Sequence, residues 1–511
     1  MGLLSFLIFW PAVAGIALLL WPRDEGKELG IVAAIASAVE LVASLWLWFG
    51  FVPGGGFQFV EKAAWIPRFG INYALGLDGI SLLLVLLTTL LTIIAVVSSF
   101  TGIKQGRRGY YASLLFLETG VIGAFCATDV FLFYIFWEAM LIPMYFLIGI
   151  WGGERRIYAT VKFVLYTMVG SLLMLVAILW TYQYSNAGGN GTFDLFAWYQ
   201  LNIPAGAQLW LFAAFALAFA IKVPMFPFHT WLPDAHVQAP AAGSVMLAGV
   251  LLKLGTYGFM RFAMPLFPDG YAVLADTIRV LAVIGIVYGA AMTLIQSDVK
   301  SLVAYSSVSH LGFVMLGLAS LNLIGASGAL LQQINHGIST GALFLLIGMI
   351  YERRHTRQIA DYGGIFATVP VFTIIFLIVT LSSIGLPGTN GFVGEFLILL
   401  GAFQTSPAAA IISTTAVILA AGYMLWLVRR VFFGPLTHPE NEKILDLDRR
   451  ELAVVIPLVA LIIWIGVYPK PFLARIEPDL KTWVEQVKPP QYGAPADPSE
   501  SFTLPAAEVT R

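Results

Sequence analysis

Apolar runs of about twenty residues recur along the whole chain, and that is the length a helix needs to cross a hydrocarbon layer about 30 Å thick. They fall near 3–21, 30–50, 79–100, 111–127, 129–150, 159–184, 207–226, 239–262, 271–296, 300–320, 323–351, 366–403, 407–430 and 451–468. The pattern predicts an all-α polytopic membrane protein of about fourteen transmembrane helices. The run at 366–403 is too long for one crossing and too short for two, so it is counted as one broken helix. The first run lacks a basic start and a small-residue cleavage site, which reads as a retained helix rather than a signal peptide. The weakly hydrophobic stretches at 51–78, 185–206 and 434–450 and the tail after Tyr468 leave no room for a soluble domain and are expected to be loops. In the tail, Pro469, Pro471, Pro478, Pro489, Pro490, Pro495, Pro498 and Pro505 favour an extended or surface-lying segment. Within it, 472–487 is expected to form a short amphipathic helix at the interface.

The balance of charge sharpens this picture. Of 511 residues, 59% are apolar and 11% charged, where a soluble domain has about 25% charged. With a net charge of -1, no basic block exists to neutralise phosphates, which excludes nucleic acid as a partner and leaves membrane lipid as the surroundings. The single cysteine, Cys126, excludes a disulfide framework, a cysteine-based zinc site and an iron-sulfur cluster, and reads as a small core residue. Assigning alternate loops to opposite sides puts about sixteen Lys or Arg on one side, among them Arg107, Arg108, Arg155, Arg156, Lys300, Arg353 and Arg354, and about three on the other. The rich side is expected to be cytoplasmic. An even helix count then leaves both termini outside.

Two predicted helices are interrupted at membrane depth. In Lys222-Val-Pro224-Met-Phe-Pro227-Phe-His229 two prolines remove backbone donors and force the chain out of helical geometry. Gly385-Leu-Pro387-Gly388-Thr-Asn390-Gly391 does the same before the helix resumes at Phe392. Irregular backbone survives in hydrocarbon only where protein or water satisfies it. The breaks lie five helices apart, as two tandem five-helix units of opposite topology would place them, and such broken repeats line ion paths in transporters. The expected organisation is 1–110 for the amino-terminal helices, 111–262 and 263–433 for the two repeats, and 434–511 for the last helix and tail.

The buried ionisable residues are the candidate chemistry. Glu138 sits roughly mid-membrane, where a carboxylate costs at least a few kcal/mol and must be protonated or partnered. The bland alternative is a neutral acid bonded to a neighbouring helix for packing. Lys222 stands just before the first break, where desolvation and a nearby carboxylate would pull its charge in opposite directions, the balance a proton switch requires; its alternative is snorkelling to an interface. Lys253 is deeper, with no polar flank. Glu395 follows the second break, where its alternative role is to cap the restarting half-helix. His229, His236, His310 and His336 match no zinc spacing, and each is a relay candidate or a hydrogen-bonded core histidine. His310 and His336 have the better surroundings, because Ser306, Ser307, Ser309, Asn335, Ser339 and Thr340 could hold water. Glu118, Lys162, Asp129 and Asp234 are read as capping or interfacial groups, Asp78 as a helix start, and Glu40 as a buried acid with no evident partner. Phosphate-binding Gly loops and haem attachment sequences are missing, so the energy source is an ion gradient or another subunit.

Five strings carry a family resemblance: FYIFWEAMLIPMYFLIGIWGG at 133–153, IKVPMFPFHTWLPDAHVQAPAAGSVMLAGVLLKLGTYG at 221–258, SDVKSLVAYSSVSHLGF at 297–313, INHGISTGALFLLIGMIYERR at 334–354 and GLPGTNGFVGEF at 385–396. Together they resemble the antiporter-like membrane subunits of proton-pumping NADH:quinone oxidoreductase, respiratory complex I, in the branch where Glu395 stands in place of the lysine usual in sister subunits. The resemblance implies a coupled Glu138 and Lys222 pair, a central carrier at Lys253, a terminal exchange site at Glu395, and His310 and His336 on the axis between them. It implies no cofactor in this chain, with quinone, flavin and iron-sulfur clusters in partner subunits. The implied partners are antiporter-like subunits on both sides and the lateral helix of the distal subunit, in a bacterial inner membrane. Quinone reduction elsewhere would disturb the Glu138 and Lys222 pair and drive a proton through water to Lys253 and on to Glu395. The competing readings are a subunit of a multisubunit cation/proton antiporter, of a membrane hydrogenase or of a ferredoxin-dependent photosynthetic complex, and a non-transporting spacer, which would have no reason to bury charge.

Overall fold

The computed structural model describes residues 2–189 and 191–488. The elements in chain order are α1 (Leu3–Leu19), α2 (Glu28–Gly50), β1 (Gln58–Ile66), β2 (Ile71–Leu77), α3 (Gly79–Gly102) and α4 (Arg107–Cys126). Then follow α5 (Val130–Trp151), α6 (Arg156–Ser185), the short α7 (Leu195–Tyr199), α8 (Ala205–Lys222), α9 (Trp231–Gln238) and α10 (Ala241–Leu266). The remainder is α11 (Pro268–Leu294), α12 (Val299–Ala319), α13 (Leu323–Arg354), α14 (Pro370–Ser383), α15 (Asn390–Thr405), α16 (Pro407–Phe432), α17 (Arg449–Val467) and α18 (Lys470–Val487).

A helix occupies each apolar run. Among the described residues, twelve helices are long and apolar enough to cross a membrane, and α1 and α14 are shorter apolar helices. Burial sorts them into two shells. α10, α12 and α13 are enclosed by protein over almost their whole length, while α2, α6, α11 and α16 keep most of their surface outward. Their outward faces carry large apolar groups such as Ile35, Trp46, Val176, Val280 and Ile418, the composition that lipid tails tolerate. Lys253, His310 and His336 therefore sit on an inner rod of helices sheathed by apolar ones.

The loop expected at 51–78 is instead an antiparallel hairpin, pairing Glu61 with Leu75 and Ala63 with Tyr73. It has a structural purpose visible in its bonds. The Glu61 carboxylate accepts the backbone N–H groups of Leu4 at 2.8 Å and Ser5 at 3.1 Å, which satisfies donors the first turn of α1 leaves open. Asp78 then starts α3 as expected, accepting from Ile80 and Ser81 in a capping box. Asp129 likewise accepts from Phe131 and Leu132 at the head of α5.

The first break runs from Val223 to Thr230, and the chain resumes as the half-helix α9, which the hydrophobic pattern does not mark. The second falls between Ser383 and Asn390, so the restart is at Asn390 rather than Phe392. There Gly385 and Gly388 take φ of 75° and 92°, a left-handed backbone that side chains resist. A bend not foreseen interrupts α5 at Met140. Pro143 explains it, since its ring meets the carbonyl one turn earlier, at Ala139, immediately after Glu138. At the other end of the chain, α18 confirms the amphipathic helix and lies against α13 and α3. Its Trp483 Nε1–H donates to the Met260 carbonyl at 2.6 Å. Pro489, Pro490, Pro495, Pro498 and Pro505 lie outside the described residues.

Candidate functional site

Lys253 lies in the middle of α10, between two turns widened to π geometry at Leu247–Leu251 and Phe259–Ala263, a distortion frequent at functional sites. The residue is fully buried. Its Nζ donates to the Ala248 carbonyl and reaches His336 Nδ1 on α13 at 2.7 Å. Among the described residues, no carboxylate lies within ion-pair distance of it. The next step is short: the rings of His336 and His310 are 5.8 Å apart. His310 Nδ1, on α12, then meets Glu395 Oε1 at 2.9 Å, and Gln332 Nε2 donates to the same oxygen at 3.1 Å.

One assignment of neutral tautomers suits these partners. A lysine nitrogen donating to His336 Nδ1 leaves that ring's proton on Nε2, and a carboxylate accepting from His310 Nδ1 leaves His310 Nε2 as a lone pair. Both Nε2 atoms are buried without partners. A cavity of about 10 Å³, lined by both histidines with Asn335, Ser339, Thr340 and Ser382, lies beside them, enough for one water. Ser339 and Ser382 share a hydrogen bond of 2.7 Å, and Asn335 Nδ2 donates to the Asn390 carbonyl at 2.7 Å, which ties the second break to the buried rod. Gly385 belongs to the same contact, because a Cβ there would come within 3.1 Å of the Glu395 carboxylate.

The first half is arranged differently. Lys222 closes α8 and is 1% exposed, so it does not snorkel. Its Nζ has no hydrogen-bond partner. It sits 5.1 Å from the Trp137 ring and 5.8 Å from that of Phe163, where aromatic faces attract a cation. Glu138, next to Trp137, is near enough to act on Lys222 electrostatically, and its Oε1 is buried without a donor. His229 stacks on Phe226 and meets the Tyr288 ring edge-on. Lys162 and Asp234 form a half-exposed pair at 2.7 Å, in keeping with an interfacial reading.

A third arm approaches Lys253 from the basic side. A cavity of about 250 Å³ is lined by Gln238, Lys300, Tyr351, Glu352 and Arg357. Lys300 is buried at its edge and donates to the Ala239 carbonyl. His236, fully buried with neither ring nitrogen partnered, lies flat on Phe344 at 4.5 Å and feels the charge of both Lys300 and Lys253. It stands between the cavity and the central lysine.

A family model described as the transmembrane region of NADH:quinone oxidoreductase and Mrp antiporters matches residues 127–420. The chain is 46% identical over 95% of its length, and 96% of the other's, to NADH-quinone oxidoreductase subunit M of Rhodobacter capsulatus. The chain belongs to that family. It is also 42% identical, over 95% of its length and 97% of the relative's, to NADH-ubiquinone oxidoreductase chain 4 of Marchantia polymorpha. A chain of respiratory complex I from Thermus thermophilus superposes with a TM-score of 0.87 at 34% identity, covering 95% of this chain and 99% of that one.

In this antiporter-family chain the structure unites Lys253, His336, His310 and Glu395, and sets Glu138 beside Lys222. Two expectations need correction. Glu118 is not near a helix end: it is fully buried in the body of α4. Glu40 does have a partner, and the partner is Glu118. Glu395 is engaged by His310 and Gln332 rather than capping α15, where the Gly391 N–H donates to Asn390 Oδ1 at 3.0 Å. Sequence reasoning passed over Gln332, Lys300 and Tyr423, the last buried beside Glu395 with its hydroxyl unpartnered. Gln332 carried a usable signal, a polar residue more than one turn inside an apolar run.

Proposed function

We propose that this chain is a proton-translocating subunit in the membrane arm of NADH:quinone oxidoreductase and that the buried Glu, Lys and His residues are its path. Electron transfer takes place in partner subunits that hold the quinone, flavin and iron-sulfur clusters, and antiporter-like subunits flank this one in a bacterial inner membrane. The basic loops face the cytoplasm and both termini face outward. Residues 111–262 and 263–433 act as two inverted half-channels, each centred on a broken helix.

The observation that carries this reading is the run of buried contacts from Lys253 through His336 and His310 to Glu395. Each member can hold or pass a proton. One water between the two Nε2 atoms closes the gap, so a proton leaving Lys253 for His336 releases another toward Glu395. Glu138 and Lys222 are the control element. Their charges attract in a low-dielectric site, and any displacement of Glu138 by a neighbouring subunit changes how strongly Lys222 holds its proton. Water in the basic-side cavity feeds Lys300 and His236, and through them Lys253.

The test is Glu138→Gln in the assembled complex. The exchange keeps shape and removes charge, so assembly persists while proton pumping and coupled quinone reduction fall about tenfold or more. Wild-type rates of both would remove the pair from the mechanism. Flux stimulated by sodium rather than by quinone turnover would move the chain to the antiporter side of its family.

A further inference from the structure

The proton path leaves one pair of buried acids unused. Glu40 on α2 and Glu118 on α4 are both fully buried, on helices that pack against one another, and the two acids are close enough to act on one another electrostatically. Among the described residues, none supplies a fixed donor to any of the four carboxyl oxygens, and no cation pairs with either acid. Ser37 Oγ is also fully buried and unpartnered, one turn before Glu40 on the inward stripe of α2 that includes Ala33, Ala36 and Ser44. A polar seam of Ser37, Glu40, Ser44, Thr89, Thr92 and Glu118 thus runs between three helices, with Ser44 and Thr89 joined at 2.8 Å.

Packing alone does not call for this. Two leucines would fill the space without desolvating two acids. Two carboxylates this close cannot both be ionised in such a site, because like charges at this range repel by more than hydration can offset. The pair therefore holds at least one proton, and the buried oxygens without donors are where a second attaches.

We propose that Glu40 and Glu118 form a proton-sharing site that alternates between one bound proton and two, outside the Lys253 to Glu395 axis. Taking up the second proton converts the pair from a charge of about −1 to neutral; releasing it restores the charge. The two states are felt on the axis through α3. α3 packs against α4 and also against the start of α10, where Thr92 Oγ1 lies 3.9 Å from Met246 Sδ. Met246 is about two turns before Lys253 on α10. A negative pair favours the charged form of Lys253, and a neutral pair favours its release of a proton. α1 and α3 carry no ionisable group. The other ionisable groups on helices packed around α4 are Tyr134, Glu138 and Tyr145 on α5 and Lys253, Tyr257 and Arg261 on α10, with Arg107, Arg108, Tyr110, Tyr111 and Cys126 on α4 itself. None of these acts on either acid as Glu40 and Glu118 act on one another.

The experiment uses the whole complex in proteoliposomes, with E40Q, E118Q and the double variant, read by infrared difference spectroscopy in the carboxylic acid C=O region across pH. Glutamine preserves volume and hydrogen bonding, so the variants keep the fold; leucine at both positions is the control for packing. Wild type minus double variant should show a protonated carboxyl signal that grows by one proton's worth as pH falls. Each single variant leaves one carboxyl that binds at most one proton, so it should lose the signal that persists at high pH in wild type, and the pH profile of pumping should shift in parallel. A signal of constant size at every pH, no carboxylic acid signal at all, or a signal erased by sodium ions would each overturn the proposal. Because the spectrum is read independently of pumping, it stands even if Glu138→Gln leaves pumping untouched.

Discussion

The two halves of the buried path solve the same electrostatic problem in opposite ways. From Lys253 onward every ionisable group touches another: a lysine meets a histidine, two histidines face one another, and the last meets a glutamate that a glutamine also holds. Around Lys222 no such bonds exist, and a cation rests on aromatic faces with its carboxylate near but not joined. A continuous run is fit to conduct, because its members are bonded directly or, between the two histidines, have room for one water at the gap. A loose pair is fit to switch, because small movements change its energy when little else screens the charges. The difference teaches that control and conduction are housed in separate places, each beside its own broken helix.

The comparison is easiest to break at the conducting half. His336→Leu removes the only group that joins Lys253 to His310, and proton pumping should fall by an order of magnitude or more, with the complex still assembled; a pumping rate within reach of wild type would show that the contacts seen are not the route. A smaller effect lies at the edge of the bundle, in the docking of α18. Burial, and then the charge of Asp78, push the Asp479 carboxyl up to about 6, against the pull of the Gly79 N–H and Arg261. The docked form therefore binds a proton more readily than the free helix. Its penalty is fully present above about 6 and is relieved as pH falls toward the ordinary carboxyl value. Hydrogen exchange in 470–487, corrected for intrinsic rates, should slow between pH 7 and pH 5 in wild type, and Asp479→Asn should slow it at pH 7 and remove the dependence. Equal protection at both pH values would show that this contact carries no proton linkage.

Much of this was readable from residues in order. Charges and Pro-Gly clusters inside apolar runs are local signals, which is why Lys222, Lys253, Glu395 and both breaks stood out. What escaped depends on neighbours distant in the chain. Glu40 has Glu118 as its neighbour only once α2 and α4 pack together. The hairpin escaped because bulges between Gln58 and Glu61 and between Ala64 and Ile66 break the alternation that marks a strand. The half-helix α9 was hidden by Pro233, Asp234 and His236, whose polarity reads as a loop. The π turns around Lys253 have no sequence signature, and the widening that turns its amine toward His336 is a product of packing.

The most direct test of the account is the number of protons moved per quinone reduced when Lys253 is replaced by Met, which keeps the length of the side chain and abolishes its charge. The account predicts that this ratio falls in the assembled complex, because protons from the basic side can no longer reach His336 and Glu395. A ratio equal to that of wild type would contradict it.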